Sequence, residues 1–202
     1  MNSTIDYYDR NADEYFGRTA NVTFDEIYSR FLKYIPAGGR IMDLGCGSGR
    51  DVKWFCDHGY EAYGLDASRE LVSKASDEYD IPVFTGLIEE WTTATPFDGV
   101  WCCASLMHLD DSALEQLFKN LTYNLKQGGV LFMSVKSGIE TGLDEQGRYL
   151  RDFTEGDVHE IINQHSKLEV REIWYTEDKL ARDTFRWMNV IIENIMDTEG
   201  YL

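Results

Sequence analysis

Arg40-Ile41-Met42-Asp43-Leu44-Gly45-Cys46-Gly47-Ser48-Gly49-Arg50-Asp51 is a short apolar run that passes into a glycine-rich turn and then into residues with helical spacing. Glycines at 45, 47 and 49 allow backbone angles that a side chain forbids and let a ligand approach the main chain closely. The turn sits where a helix would begin, so it also offers backbone N–H groups that no helical carbonyl satisfies. This combination reads as a cradle for a nucleotide or nucleoside.

The spacing discriminates among ligands. A dinucleotide turn has the pattern G-x-G-x-x-G and aims its helix at a pyrophosphate. Here the third glycine comes one residue early, and Asp43 stands two residues before the first, where it would repel an anion. A ligand carrying an amino group and a sulfonium suits that carboxylate better. A second acid, Asp66, closes the next apolar run, Tyr63-Gly64-Leu65-Asp66, about where a βαβ unit places its ribose-binding carboxylate. D-x-G-x-G-x-G followed by this acid resembles the class I S-adenosylmethionine-dependent methyltransferases.

The rest of the chain extends the resemblance. Residues 1–35 carry aromatic and aliphatic side chains at helical spacing, and Pro36-Ala37-Gly38-Gly39 stops them. Alternating elements follow: strands over Arg40–Leu44, Glu61–Leu65, Ile81–Phe84, Phe97–Ala104 and Val130–Val135, and helices over Arg50–His58, Ser68–Glu78, Asp111–Lys126 and Thr154–His165. The helix at 111–126 has the clearest amphipathic repeat, Leu114, Leu117, Phe118, Leu121 and Leu125, and Thr154 with Asp157 reads as a capping box. Two β-rich runs, Leu168–Thr176 and Thr184–Glu193, joined by a charged loop, read as an antiparallel hairpin. The expected fold is therefore α/β, a Rossmann-like mixed seven-stranded sheet with a C-terminal antiparallel hairpin and helices on both faces. The expected organisation is one domain over 1–202, with a helical lid at 1–35 and a core at 36–194.

Composition limits the function. The chain has 202 residues, 43% of them apolar, enough for one sizeable core. Its net charge of −17 argues against broad contact with nucleic acid or an anionic membrane. There is no basic, apolar leader at the N-terminus, and no apolar stretch near the ~20 residues of a spanning helix. The four cysteines, Cys46, Cys56, Cys102 and Cys103, make neither a C-x-x-C pair nor a zinc array with histidine, so free thiols and no metal site are expected. The expectation is a soluble cytoplasmic protein, monomer or homodimer, without a nucleic-acid partner.

The resemblance implies roles for particular residues. Gly45, Cys46 and Gly47 would lie under the methionine moiety, with Asp43 holding its ammonium through water or the loop backbone. Asp66 would accept the ribose hydroxyls, with Ala67 and Leu71 on the adenine; the alternative for Asp66 is a cap before Ser68. In many members an acid follows the third strand, whereas this chain has Leu87 there, leaving adenine contact to Leu87 and Ile88 with Glu89 as a further candidate. The segment Cys103-Ala104-Ser105-Leu106-Met107-His108-Leu109 resembles the family's A-x-L-x-H stretch, so Cys103 and Ala104 would line the methionine. His108 would border the acceptor, either as a general base or by packing its loop. Tyr15 and Arg18 in the lid would face the cofactor, and Tyr7 of the lid, with Arg148 and Tyr149 after the fifth strand, would face the substrate.

The implied function is transfer of a methyl group from S-adenosylmethionine, giving S-adenosylhomocysteine, to a small soluble acceptor at O, N or S. An RNA or protein methyltransferase would need a basic or peptide-sized groove that this sequence does not advertise. Outside that class stand a non-catalytic sensor of the same cofactor and an NAD-dependent oxidoreductase, the latter opposed by Asp43 and the early third glycine.

Overall fold

A computed structural model describes residues 3–178 and 185–195. Seven strands form one sheet in the order β3-β2-β1-β4-β5-β9-β8. Five are parallel: β1 (Arg40–Leu44), β2 (Glu61–Asp66), β3 (Val83–Thr85), β4 (Phe97–Cys103) and β5 (Leu125–Ser137). The strand β9 (Arg186–Asn194) runs antiparallel between β5 and β8 (Leu168–Thr176). From β1 the chain first builds outward through β2 and β3, then returns to the other side of β1 with β4 and β5. The reversal between β1 and β4 leaves a crevice at their carboxyl ends.

Helices cover both faces because the central strands are apolar on both sides. On one face α3 (Asp25–Phe31), α4 (Arg50–Asp57) and α5 (Arg69–Tyr79) bury Ile27, Tyr28, Phe31, Val52, Phe55 and Ala75 against Ile41, Trp101 and Phe132. On the other, α6 (Asp111–Asn124) and α7 (Glu155–Asn163) bury Leu114, Leu117, Phe118, Val158 and Ile162 against Met42, Val100 and Leu131. Gly99 of β4 is needed for this packing, since a Cβ there would stand 2.5 Å from the Phe31 ring.

Several local expectations shift. The amphipathic helix ends at Asn124, two residues short of Lys126: Asn124 turns inward, donating to the Trp91 carbonyl and accepting from the Thr93 N–H, and Leu125 begins β5. The stretch read as an insertion after the fifth strand contains a small hairpin, β6 (Gly142–Leu143) and β7 (Tyr149–Leu150). The fourth strand stops at Cys103, because Ala104 takes a left-handed φ of +61°. The N-terminal region is three helices, α1 (Ser3–Arg10), α2 (Ala12–Thr19) and α3. The capping box at Thr154 and Asp157 is present, and α7 stops at Asn163, short of His165. The loop expected between β8 and β9 lies partly, at 179–184, outside the described residues.

Candidate active site

The glycine turn is held from two sides. Gly45 has φ +80° and a Cβ there would sit 2.3 Å from the Ser105 Cβ, so the turns after β1 and β4 touch directly. Ser105 secures that contact, donating its hydroxyl to the Leu44 carbonyl at 2.7 Å. Asp66, at the end of β2, accepts the Gly47 N–H and the Ser68 N–H, both at 2.8 Å. Ser68 caps α5 by accepting the Leu71 N–H and also donates to Asp9 of α1. Asp66 thus ties the glycine turn to the start of α5. Burial pushes its pKa up, against the pull of those two N–H groups.

A cavity opens above this turn. Gly45, Gly47, Asp66, Ala67, Leu71, Leu87, Ile88, Glu89 and Ala104 line it, together with Thr4, Ile5, Tyr8 and Tyr15 from the N-terminal helices and Ser105, His108 and Leu109 after β4. Tyr15 lies directly over the turn, where a Cβ on Gly47 would meet its ring at 3.1 Å. Asp43 stands just below at the end of β1, only 1% exposed, with no hydrogen-bond partner on either oxygen. Burial and the neighbouring Asp51 charge hold its pKa well above the carboxylate range.

A second, larger cavity adjoins the first and shares Tyr8, Tyr15 and Ala104 with it. Its walls mix aromatic and apolar side chains, Phe24, Ile27, Met107 and Trp187, with charges of both signs: Arg18, Arg50, Lys136 and Arg148 against Glu26, Glu177 and Asp178. Arg50 is committed to Asp51 through two hydrogen bonds of 2.8 and 2.7 Å, and Asp51 also accepts from the Tyr28 hydroxyl and, at 3.0 Å, from the Trp101 indole. Arg148 is held by Asp144.

The sequence-expected residues separate into groups. Tyr15 and Ala104 line both cavities, while Arg18 and Cys103, expected at the cofactor, line only the second. Arg18 points along α2 toward Glu14, which draws it to the surface. Cys46 lines neither cavity; its thiol packs where a Cβ on Gly64 would fall, 2.8 Å away. Tyr7 and Tyr149 also line neither: Tyr7 stacks under the Arg148 guanidinium, and Tyr149 contributes its backbone, its N–H to Thr4 and its carbonyl to His108. His108 lines the first cavity, with burial pulling its pKa down to about 4. Tyr8, Ser105 and the Arg50–Asp51 pair carry structural weight that the sequence reading missed. For Tyr8 the available signal was its seven-residue spacing to Tyr15, which would share a face in one continuous helix, although the helix breaks at Asn11 between α1 and α2.

The sheet order, the glycine turn and its two acids define the fold of class I S-adenosylmethionine-dependent methyltransferases. The chain belongs to the methyltransferase-domain family, whose model matches residues 15–177. Among relatives it is 32% identical over 125 residues to YqeM of Bacillus subtilis, a protein named as a methyltransferase, covering 56% of this chain and 50% of that one. The chain thus spans about half the length of the curated relatives it matches. Among solved structures, a Methanosarcina mazei S-adenosylmethionine-dependent methyltransferase superposes with a TM-score of 0.73 at 16% identity, over 87% of this chain and 99% of that one. A second is 1,6-didemethyltoxoflavin-N1-methyltransferase of Burkholderia thailandensis, solved with 1,6-didemethyltoxoflavin and S-adenosylhomocysteine: TM-score 0.68, 17% identity, 95% and 88% coverage. The cofactor of this class is S-adenosylmethionine, and the residues here suit it. A buried carboxyl without a protein partner lies under a turn that only glycine can form, and a strand-end acid faces the cavity above it.

Proposed function

We propose that this chain is a methyltransferase that binds S-adenosylmethionine in the first cavity and a small soluble acceptor in the second, methylating it at O, N or S. The reading rests on one observation above all. The glycine-turn cavity has a larger neighbour, and Tyr8, Tyr15 and Ala104 line both. Asp66 would take the ribose, Leu71, Leu87 and Ile88 the adenine with Glu89 at its rim, and Gly45 and Gly47 the methionine end, with Asp43 below. When bound, S-adenosylmethionine supplies an electrophilic methyl: an acceptor lone pair forms the new bond, the carbon–sulfur pair stays on sulfur, and the acceptor's proton goes to solvent. The protein's part is alignment and exclusion of water.

The second cavity favours a small acceptor because it is walled on several sides and carries charges of both signs, unlike a basic groove for RNA. No helix among the described residues is long and apolar enough to cross a membrane, and all four cysteines are unpaired, which suits a reducing cytoplasm. Calorimetry with S-adenosylmethionine, S-adenosylhomocysteine and NAD tests the cofactor. Incubation of a small-metabolite extract with methyl-labelled cofactor then tests turnover. Binding of NAD in place of the other two, or binding without transfer of label, would refute the reading.

A further inference from the structure

Tyr8 occupies the boundary between the two cavities, and its hydrogen bonding is set by the groups around it. The Nδ1 of His108 lies 2.8 Å from the Tyr149 carbonyl, which can only accept, so the imidazole proton is on Nδ1. Neutral His108 therefore offers a bare Nε2, and the Tyr8 hydroxyl, 2.9 Å away, donates to it. That commits the phenol proton. Its oxygen lies between His108, which lines the first cavity, and the Arg148 guanidinium, which lines the second and stands 3.5 Å off. Arg148 is itself turned toward Asp144 by bonds of 2.9 and 2.6 Å, so its contact with Tyr8 is the long one. Beyond that long contact the Tyr8 oxygen keeps acceptor capacity, on a residue that lines both cavities, and it has no proton to give.

We propose that Tyr8 orients the methyl acceptor by accepting a hydrogen bond from it, that His108 is a positioning residue acting through Tyr8, and that the acceptor therefore carries an O–H or N–H at the methylated atom. This rests on the methyltransferase reading and narrows it. Drawing the acceptor's proton toward Tyr8 fixes where its lone pair points, and alignment is most of what methyl transfer requires. A thiolate or carboxylate has no proton to offer this oxygen and gains nothing from it. Tyr8 keeps its own proton throughout. The Tyr149 carbonyl, brought to His108 by β7, fixes the tautomer, so the β6–β7 hairpin acts on Tyr8 through two hydrogen bonds. The edge contact of the Tyr8 and Tyr15 rings, with centroids 5.1 Å apart, braces the phenol from the other side.

The first test uses the protein without ligand. ¹⁵N NMR of the His108 ring should show protonated Nδ1 and bare Nε2, with the Nε2 resonance moving in Tyr8→Phe; a proton on Nε2 overturns the proposal. The second uses [methyl-¹³C]S-adenosylmethionine with a small-metabolite extract, the product class read from the ¹³C shift of the transferred methyl. A methyl ether or methylamine is expected, whereas a thioether or methyl ester overturns the inference and leaves the methyltransferase reading standing. Absence of any labelled product overturns that reading itself. With the product in hand, Tyr8→Phe should lower kcat by about 10- to 100-fold, the worth of one oriented hydrogen bond in a water-poor site, with S-adenosylhomocysteine affinity within about threefold. His108→Leu should match it, and His108→Gln, whose amide oxygen again accepts from Tyr8, should recover part of the loss. Equal effects of Leu and Gln at 108, or full turnover in Tyr8→Phe, would overturn the proposal.

Discussion

Asp66→Ala should cost both stability and cofactor affinity, and the two losses are separable. In the free protein the carboxylate holds the Gly47 and Ser68 N–H groups at 2.8 Å each. Hydrogen bonds to a charged group are worth roughly 1.5–3 kcal/mol apiece, but burial works against this carboxylate, as its raised pKa records. A net loss of about 2–3 kcal/mol of folding stability is therefore expected, visible as a lower urea midpoint at unchanged slope. Affinity for S-adenosylhomocysteine should fall by a further 1–3 kcal/mol or so, about 5- to 150-fold by calorimetry on the folded protein, as the ribose loses its charged acceptor. Asp66→Asn keeps one acceptor oxygen for two backbone donors and should unfold between the other two. A wild-type urea midpoint in Asp66→Ala would refute the tethering argument, and undiminished affinity would leave Asp66 as a cap alone.

Gly47→Val should abolish binding of S-adenosylhomocysteine in calorimetry while circular dichroism stays near wild type, because the residue has φ +53° and its new side chain would press on the Tyr15 ring over the cradle. Asp51→Ala should destabilise by about 3–5 kcal/mol in urea, since it leaves the Arg50 guanidinium, with a side chain only 16% exposed, without its buried partner. The pH dependence of stability should carry the signature of His108. Its folded pKa, about 4, lies below its ordinary 6.5, so the unfolded chain binds the extra proton first. His108 therefore makes stability rise with pH between about 4 and 6.5, by up to about 3 kcal/mol, and level off above. Asp43 and Asp66, with raised values, act in the opposite sense over part of that range, so the slope is read as wild type minus His108→Gln. The groups facing the ring, Tyr8, Arg148, Lys136 and Asp144, are unchanged in that comparison. An identical slope in the two proteins would show that His108 titrates normally.

The sequence by itself determined the alternation of strands and helices, the hairpin at the end and the glycine turn, because each is written in local chemistry. A parallel strand covered on both faces must be apolar throughout, a helix over a sheet repeats every three or four residues, and a left-handed turn under a ligand selects glycine. Where the sequence reading went astray, a tertiary contact overrode the local pattern. Leu125 continues the helical repeat, but Asn124 is claimed by the Trp91 and Thr93 backbone and the helix ends there. Tyr7, expected toward the substrate, instead lies under the Arg148 guanidinium, and Arg18, expected toward the cofactor, pairs within its own helix with Glu14. The tertiary structure alone decided that there are two cavities and which residues divide them. Tyr8, His108 and Tyr149 are separated by about a hundred and by forty-one residues in sequence and meet through hydrogen bonds of 2.9 and 2.8 Å. No periodicity records such a meeting, because it depends on where α1 and β7 come to rest over the sheet, and that is fixed by packing rather than by any local preference.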